Sequence, residues 1–180
     1  MKLKTFALGL IFSIALAPAA LAAKPKSPYE RFVGKNVKVY VAPVQDATAD
    51  KAVDAANLRA QIEEAFKSRK SLSFTVVPTP EESQITVQTE ITEFMWTDHD
   101  PVDMLMGIGG AALDTAVVED YARLQANVVV SDTATKKEYW KERVMSTVTK
   151  KPMSKTESIP LVSEGFAKTF LREAFSRPKR

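Results

Sequence analysis

A chain of 180 residues with 45% apolar side chains is long enough for one domain around one core. Its formal charge of +3 is too small to mark a nucleic-acid binder, which needs a concentrated positive face. The chain has no cysteine, which excludes thiol nucleophiles, thiolate metal sites and disulfides, and its single histidine leaves no second imidazole for a usual zinc site.

The first residues have the parts of an export signal. Lys2 and Lys4 form a positive start, an apolar run follows from Phe6 to Ala17, and Pro18 breaks it. Ala20-Leu21-Ala22 then presents small side chains where a signal peptidase requires them. The run is shorter than the about 20 residues that cross a bilayer core. A cleavable signal over residues 1–22 is therefore expected, cut after Ala22 (or Ala23), with a periplasmic or secreted product. No cysteine follows the run, so no lipid anchor of the lipoprotein kind is expected. Lys2 and Lys4 leave with the leader, which takes the formal charge from +3 to +1.

Residues 23–35 hold two prolines and three lysines and read as a flexible leader to a single domain over residues 36–176. Val37, Val39 and Val41 alternate with Lys38 and Tyr40, the period of a strand closed by Pro43. Asp46 to Asp50 reads as a polar turn with acceptors for helix capping. From Lys51 to about Ser68, Leu58, Ile62, Ala65 and Phe66 form one apolar stripe, which predicts an amphipathic helix. Leu72 to Val77 is a second short strand, stopped by Pro78-Thr79-Pro80. Ile85, Val87 and Ile91 begin a longer third strand that runs to about Trp96. Residues 98–118 break the alternation.

Ala122, Leu124, Ala126, Val128 and Val130 then alternate with Arg123, Gln125 and Asn127 as a fourth strand. A polar turn from Ser131 to Lys136 leads to a fifth strand over Lys137 to Thr149, in hairpin register. Lys150 to Glu157 reads as a polar connector. Ser158 is expected to cap a last helix with Pro160 in its first turn. Val162, Phe166 and Phe170 line that helix, with Ala167, Leu171 and Phe175 beside them, and the basic tail 177–180 follows. The expected fold is an α/β two-layer sandwich in the order β-α-β-β-β-β-α. Two helices would cover one face of a mixed sheet of about five strands.

The opening "VKVYVAPVQDATAD", the long strand "ITVQTEITEFMW", the glycine-rich insert after it and the hairpin "ARLQANVVVSDTATKKEYW" together resemble a group of bacterial envelope domains. The group includes the amino-terminal domain of the TolB protein, the curli secretion channel protein and related lipoproteins of unassigned function. The resemblance implies a non-enzymatic role in assembling or transporting envelope material. It brings no catalytic residues with it, and this chain departs from the lipoproteins in lacking the lipidated cysteine.

Chemistry has few places to sit. Asp98, His99, Asp100 and Asp103 are weak candidates for a divalent cation, since carboxylate oxygens suit hard cations and an imidazole can assist. Their spacing matches no calcium loop, and a solvated turn at Pro101 accounts for them, so no metal site and no cofactor is expected. The pairs Glu81-Glu82 and Glu119-Asp120 read as solvated charge. Gly107-Ile108-Gly109-Gly110 lacks the lysine of a phosphate loop. No nucleophilic serine context is present.

What stands out is Met104 to Leu113, ten residues without a charge between two strands, which read as a short helix or folded loop capping the core, as an exposed partner-binding surface or as a membrane contact after oligomerisation. Methionine and leucine supply adaptable apolar surface, and contiguous exposed apolar surface marks interaction. The expected working surface is Trp96, Met104, Leu105, Met106, Ile108, Leu113 and Tyr121. The expected function is a non-enzymatic exported binding module in envelope assembly or transport. Its partner would be an envelope protein or a second copy, with peripheral membrane contact as a further option and no nucleic acid. The alternatives are a self-assembling secretion or channel accessory, and a small metal-dependent hydrolase centred on the Asp98–Asp103 loop.

Overall fold

The computed structural model describes residues 28–97, 120–150 and 153–177. Among them the elements run α1 (Tyr29–Phe32), β1 (Asn36–Val41), β2 (Gln45–Asp46), α2 (Ala55–Ser68) and β3 (Ser73–Val76). A 3-10 turn at Pro80–Glu82, β4 (Ile85–Thr97), β5 (Asp120–Asp132), β6 (Glu138–Lys150) and α3 (Lys155–Phe175) complete them. The strands lie in the order β3-β1-β4-β5-β6, with β2 alongside β4. β1 runs parallel to β3 and β4, whereas β5 runs antiparallel to both its neighbours, β4 and β6. This is the expected two-layer sandwich with a mixed sheet.

Both long helices cover the same face. The valines of β1 (Val37, Val39, Val41) are buried on the α2 side with Leu58, Ile62 and Phe66, whereas the inward set of β5 (Leu124, Ala126, Val128, Val130) is buried beneath α3. Val162, Phe166 and Phe170 of α3 close the same core. Both helical stripes expected from the 3.6-residue period therefore face the core. Gly165 lets α3 approach β6 closely: a Cβ placed there would lie 2.6 Å from Ser146 Oγ.

Four boundaries differ from expectation, each through a specific contact. Residues 29–35 do not behave as part of a free leader: Tyr29–Phe32 forms a helical turn, and Phe32 enters the core beside Tyr139 and Phe175. The polar turn after Pro43 contains a sixth short strand, β2, which continues along β4 after a small offset at residues 42–44. α2 starts at Ala55 and not at Lys51. Lys51 adopts a left-handed φ of 48°, and the Asp54 carboxylate accepts from Ala56 N (2.9 Å) and Asn57 N (3.1 Å).

The fourth difference concerns α3, which begins one turn earlier than expected. Ser154, not Ser158, is its cap, in a reciprocal capping box with Glu157. Ser158 is buried inside the helix, where its hydroxyl donates to Lys155 O. Replacement of Ser154 by Ala is expected to cost about 1 kcal/mol in urea unfolding. Ser158→Ala leaves no N-terminal N–H orphaned and is expected to cost less.

Candidate functional site

Because α2 and α3 share one face, the other face of β4, β5 and β6 has no described layer over it. Strand alternation fixes what it displays. β5 sends Ala122, Leu124, Ala126 and Val128 into the core and Tyr121, Arg123, Gln125 and Asn127 to the opposite side. Cross-strand register aligns these with β4 and β6. Glu90, Asn127 and Arg143 form one row; Glu93, Gln125 and Met145 the next; Met95, Arg123 and Thr147 the third.

The rows are linked by hydrogen bonds. Asn127 Nδ2 donates to Glu90 Oε2 (3.2 Å), and Arg123 Nε donates to Glu93 Oε1 (3.0 Å). Gln125 bridges its neighbours: its amide NH2 donates to Glu93 Oε2 (3.1 Å) and its oxygen accepts from Arg143 Nε (3.2 Å). Hydrogen bonding to Glu93 pushes the Arg123 pKa above its ordinary value, with the Tyr121 side chain adding to the effect. Exposed pairs of this kind each contribute about 0–1 kcal/mol. The ladder's main consequence is a pre-ordered polar surface.

Two methionines interrupt it. Met95 is 37% exposed and Met145 52% exposed, the latter in an edge strand. Soft, flexible side chains set among ordered polar ones suit a surface that adapts to another molecule. Beside the ladder lies a groove of about 790 Å³, walled by Pro43 and Val44 and floored by Gln88, Glu90, Asn127, Val129 and Arg143.

The expected working surface is divided by the fold. Trp96 turns to the helix-covered side, where its indole N–H donates to Met153 O (3.3 Å) and its cross-strand partner is buried Ala122. Tyr121 turns to the uncovered side, paired with Thr97 and Thr149. Met104, Leu105, Met106, Ile108 and Leu113 lie outside the described residues, as do Asp98, His99, Asp100 and Asp103. The segment that carries them joins Thr97 to Asp120, the ends of the paired strands β4 and β5. Of the carboxylate pairs, Glu81 and Glu82 sit exposed in the 3-10 turn, and the Asp120 carboxylate accepts from Met153 N. Among the described residues no group of three or more His, Asp or Glu gathers as for a metal ion. No described helix is long and apolar enough to cross a membrane.

Sequence reasoning missed the ladder of Glu90, Glu93, Arg123, Gln125 and Arg143. The only signal was the polar half of each strand's alternation, which by itself reads as solvated surface.

At one end of this sheet the β5–β6 turn holds a second ordered carboxylate. Asp132 accepts from Tyr139 Oη (2.6 Å), Thr135 N (2.8 Å) and Ala134 N (3.1 Å). The Tyr139 hydrogen bond first, and those of Thr135 after it, hold its pKa down at about 2, against an ordinary 3.8. The folded-state value is the lower one, so this stabilisation is complete above pH 3.8 and is lost as pH falls toward 2. Thermal midpoints measured between pH 5 and pH 2 are expected to fall less in Asp132→Asn than in the parent chain; equal slopes would show that Asp132 contributes nothing.

No known protein family matches the chain, and no curated protein matches it in sequence. Solved structures match it in fold. A PelC variant dodecamer from Paraburkholderia phytofirmans aligns over 86% of this chain and 96% of its own, with TM-score 0.50 and 9% identity. Protein XCC0632 from Xanthomonas campestris aligns over 84% and 90%, with TM-score 0.50 and 8% identity. Lipoprotein GNA1162 from Neisseria meningitidis aligns over 66% and 87%, with TM-score 0.40 and 10% identity. At such identities the likeness is one of fold.

Proposed function

We propose that this chain is an exported, non-enzymatic module of the bacterial cell envelope that works by binding a protein through the uncovered face of β4, β5 and β6. The observation that carries this reading is the face itself: three strands of 13 residues, ordered by the Glu93–Gln125–Arg143 ladder, with Met95 and Met145 exposed among the polar rows. Such a surface offers hydrogen-bonding specificity and adaptable apolar contact, without the converging acid, base or nucleophile that a reaction needs. The apolar 104–113 stretch, tethered between β4 and β5, adds interaction surface in this reading.

Assembly or transport of envelope material, in the manner of the TolB and curli channel domains that the sequence resembles, is the process we assign to it. The second reading is self-assembly. It is favoured by the fold shared with PelC, whose solved structure is described as a dodecamer.

A photo-crosslinker at Met95 or Met145 in the native envelope separates the two readings, together with light scattering of the exported chain. A discrete heterologous adduct from either position supports the binding module. A ladder of homo-adducts with a matching solution mass supports self-assembly. A monomer that yields no adduct from either position overturns both. Met145→Glu is expected to lower adduct formation from position 95 at least tenfold, since a buried unpaired charge costs more than one factor of ten in affinity.

A further inference from the structure

Three segments meet at the end of the sandwich where the chain enters it: the turn after α1, the residues joining α2 to β3, and the β5–β6 turn. Two adjoining grooves there, of about 620 and 250 Å³, share Lys35. The first is lined by Lys35, Arg69 and Lys70, the second by Arg31, Lys35, Asp132 and Tyr139. The lining of the two grooves thus holds four cations and one carboxylate, and that carboxylate is already occupied by Tyr139 and the turn's own N–H groups.

Arg69 has a structural task, since its Nη2 donates to Phe175 O (2.8 Å) at the end of α3. Arg31 lies over the Tyr139 ring, 4.5 Å from its centre. Among the described residues no ion pair neutralises Arg31, Lys35 or Lys70. Cations near helix carboxyl ends are ordinarily explained by the helix dipole. That accounts for Arg69 and Lys70, but not for Arg31 and Lys35, which lie at or beyond the end of a single helical turn.

An apolar residue stands among these charges. Val33 is 50% exposed, between Arg31 and Lys35 in sequence, in a turn that Gly34 closes with a φ of 72°.

We propose that this basic end, centred on Arg31, Lys35 and Lys70 with Val33 at its tip, docks on an anionic phospholipid bilayer. The cations meet lipid phosphates and Val33 enters the headgroup layer, the pairing of charge and apolar contact that interfacial binding uses. A bilayer is favoured over a soluble polyanion by Val33, which a polyanion would leave wet. The proposal rests on the export reading only in that export brings the chain to an envelope membrane, and it does not need a protein partner on the sheet face.

The test is sedimentation of the exported chain with vesicles of phosphatidylglycerol and phosphatidylcholine against pure phosphatidylcholine, at low and high salt. Binding is expected only with phosphatidylglycerol, and screening by high salt is expected to abolish it. Each surface cation contributes about fivefold in partitioning, so Lys35→Gln/Lys70→Gln is expected to lose about 25-fold with an unchanged urea midpoint. Lys141→Gln/Lys168→Gln removes the same charge elsewhere and is expected to change partitioning little.

Equal losses in the two variants would reduce the effect to net charge and overturn a docking end. Equal binding to pure phosphatidylcholine, or binding to heparin with the same lysine dependence and none to vesicles, would overturn the bilayer. These outcomes are independent of crosslinking at Met95 and Met145, so failure here leaves the sheet-face reading standing, and the reverse.

Discussion

Phe66→Ala is expected to lower the unfolding free energy by about 3–5 kcal/mol, the range for truncating a fully buried phenylalanine. Phe66 is fully buried on α2, and its ring meets Phe74 of β3 at 5.0 Å, Phe175 at 5.5 Å and Phe170 at 6.0 Å, the last two from α3. All three contacts are edge-on, the geometry that aligns a ring's positive edge with its neighbour's negative face, and each adds about 0.5–1.5 kcal/mol beyond area burial. Removal of the ring therefore leaves a void bordered by three elements that cannot all move inward. Domains of this size have about 5–15 kcal/mol in total, so the variant should unfold at markedly lower urea, with an unchanged slope. A cost below about 1.5 kcal/mol would show that the cluster collapses freely. A double-mutant cycle with Phe170→Ala is expected to show coupling of about 0.5–3 kcal/mol, because the two rings share one cavity.

Phe32→Ala is expected to cost about 3 kcal/mol, the low end of the range for buried phenylalanine, because α1 is a single turn at the core's rim and can shift to close the gap. Phe32 is 6% exposed and contacts Tyr139 at 5.8 Å and Phe175 at 6.2 Å. The measurement decides between two pictures of the amino-terminal segment. A residue in a solvated leader costs within about 0.5 kcal/mol when replaced, whereas a residue that closes the core costs several times that. Its loss should also loosen Tyr139, and with it the hydrogen bond to Asp132, so the acid-side slope of stability should fall in the same variant.

Most of the fold was legible because its signals are local. Val37, Val39 and Val41 face inward at period two, and Val162, Phe166 and Phe170 at helical spacing, and a register error in either would expose the whole set. Residues 29–35 misled because the two prolines and three lysines of the stretch 23–35 outweigh its two aromatic residues at positions 29 and 32, a spacing that one helical turn suffices to align. Ser154 was passed over as a cap for Ser158 because Pro160 suggests a first turn that begins later. The capping box with Glu157 overrides that suggestion.

The sequence by itself determined the layers: which residues turn inward, that two helices cover one face, and that Ser131 to Lys136 closes a hairpin. Those follow from periodicity and turn chemistry, which act over a few residues. Only the tertiary structure decided what the other face displays. β4 keeps Ile85, Val87 and Ile91 in the core, but a register shift between Ile91 and Glu93 reverses the alternation beyond it. Without that extra residue Trp96 would share a face with Tyr121; with it, the indole turns inward to Met153 and Glu93 and Met95 turn out. In the same way, Arg31, Lys35, Arg69 and Lys70 are scattered over 40 positions of chain and are brought to one end because β1 and β3 pair in parallel, Asn36 against Ser73. A bulge and a meeting of distant segments are set by hydrogen bonds and packing between parts of the chain far apart in order, and no local pattern records them.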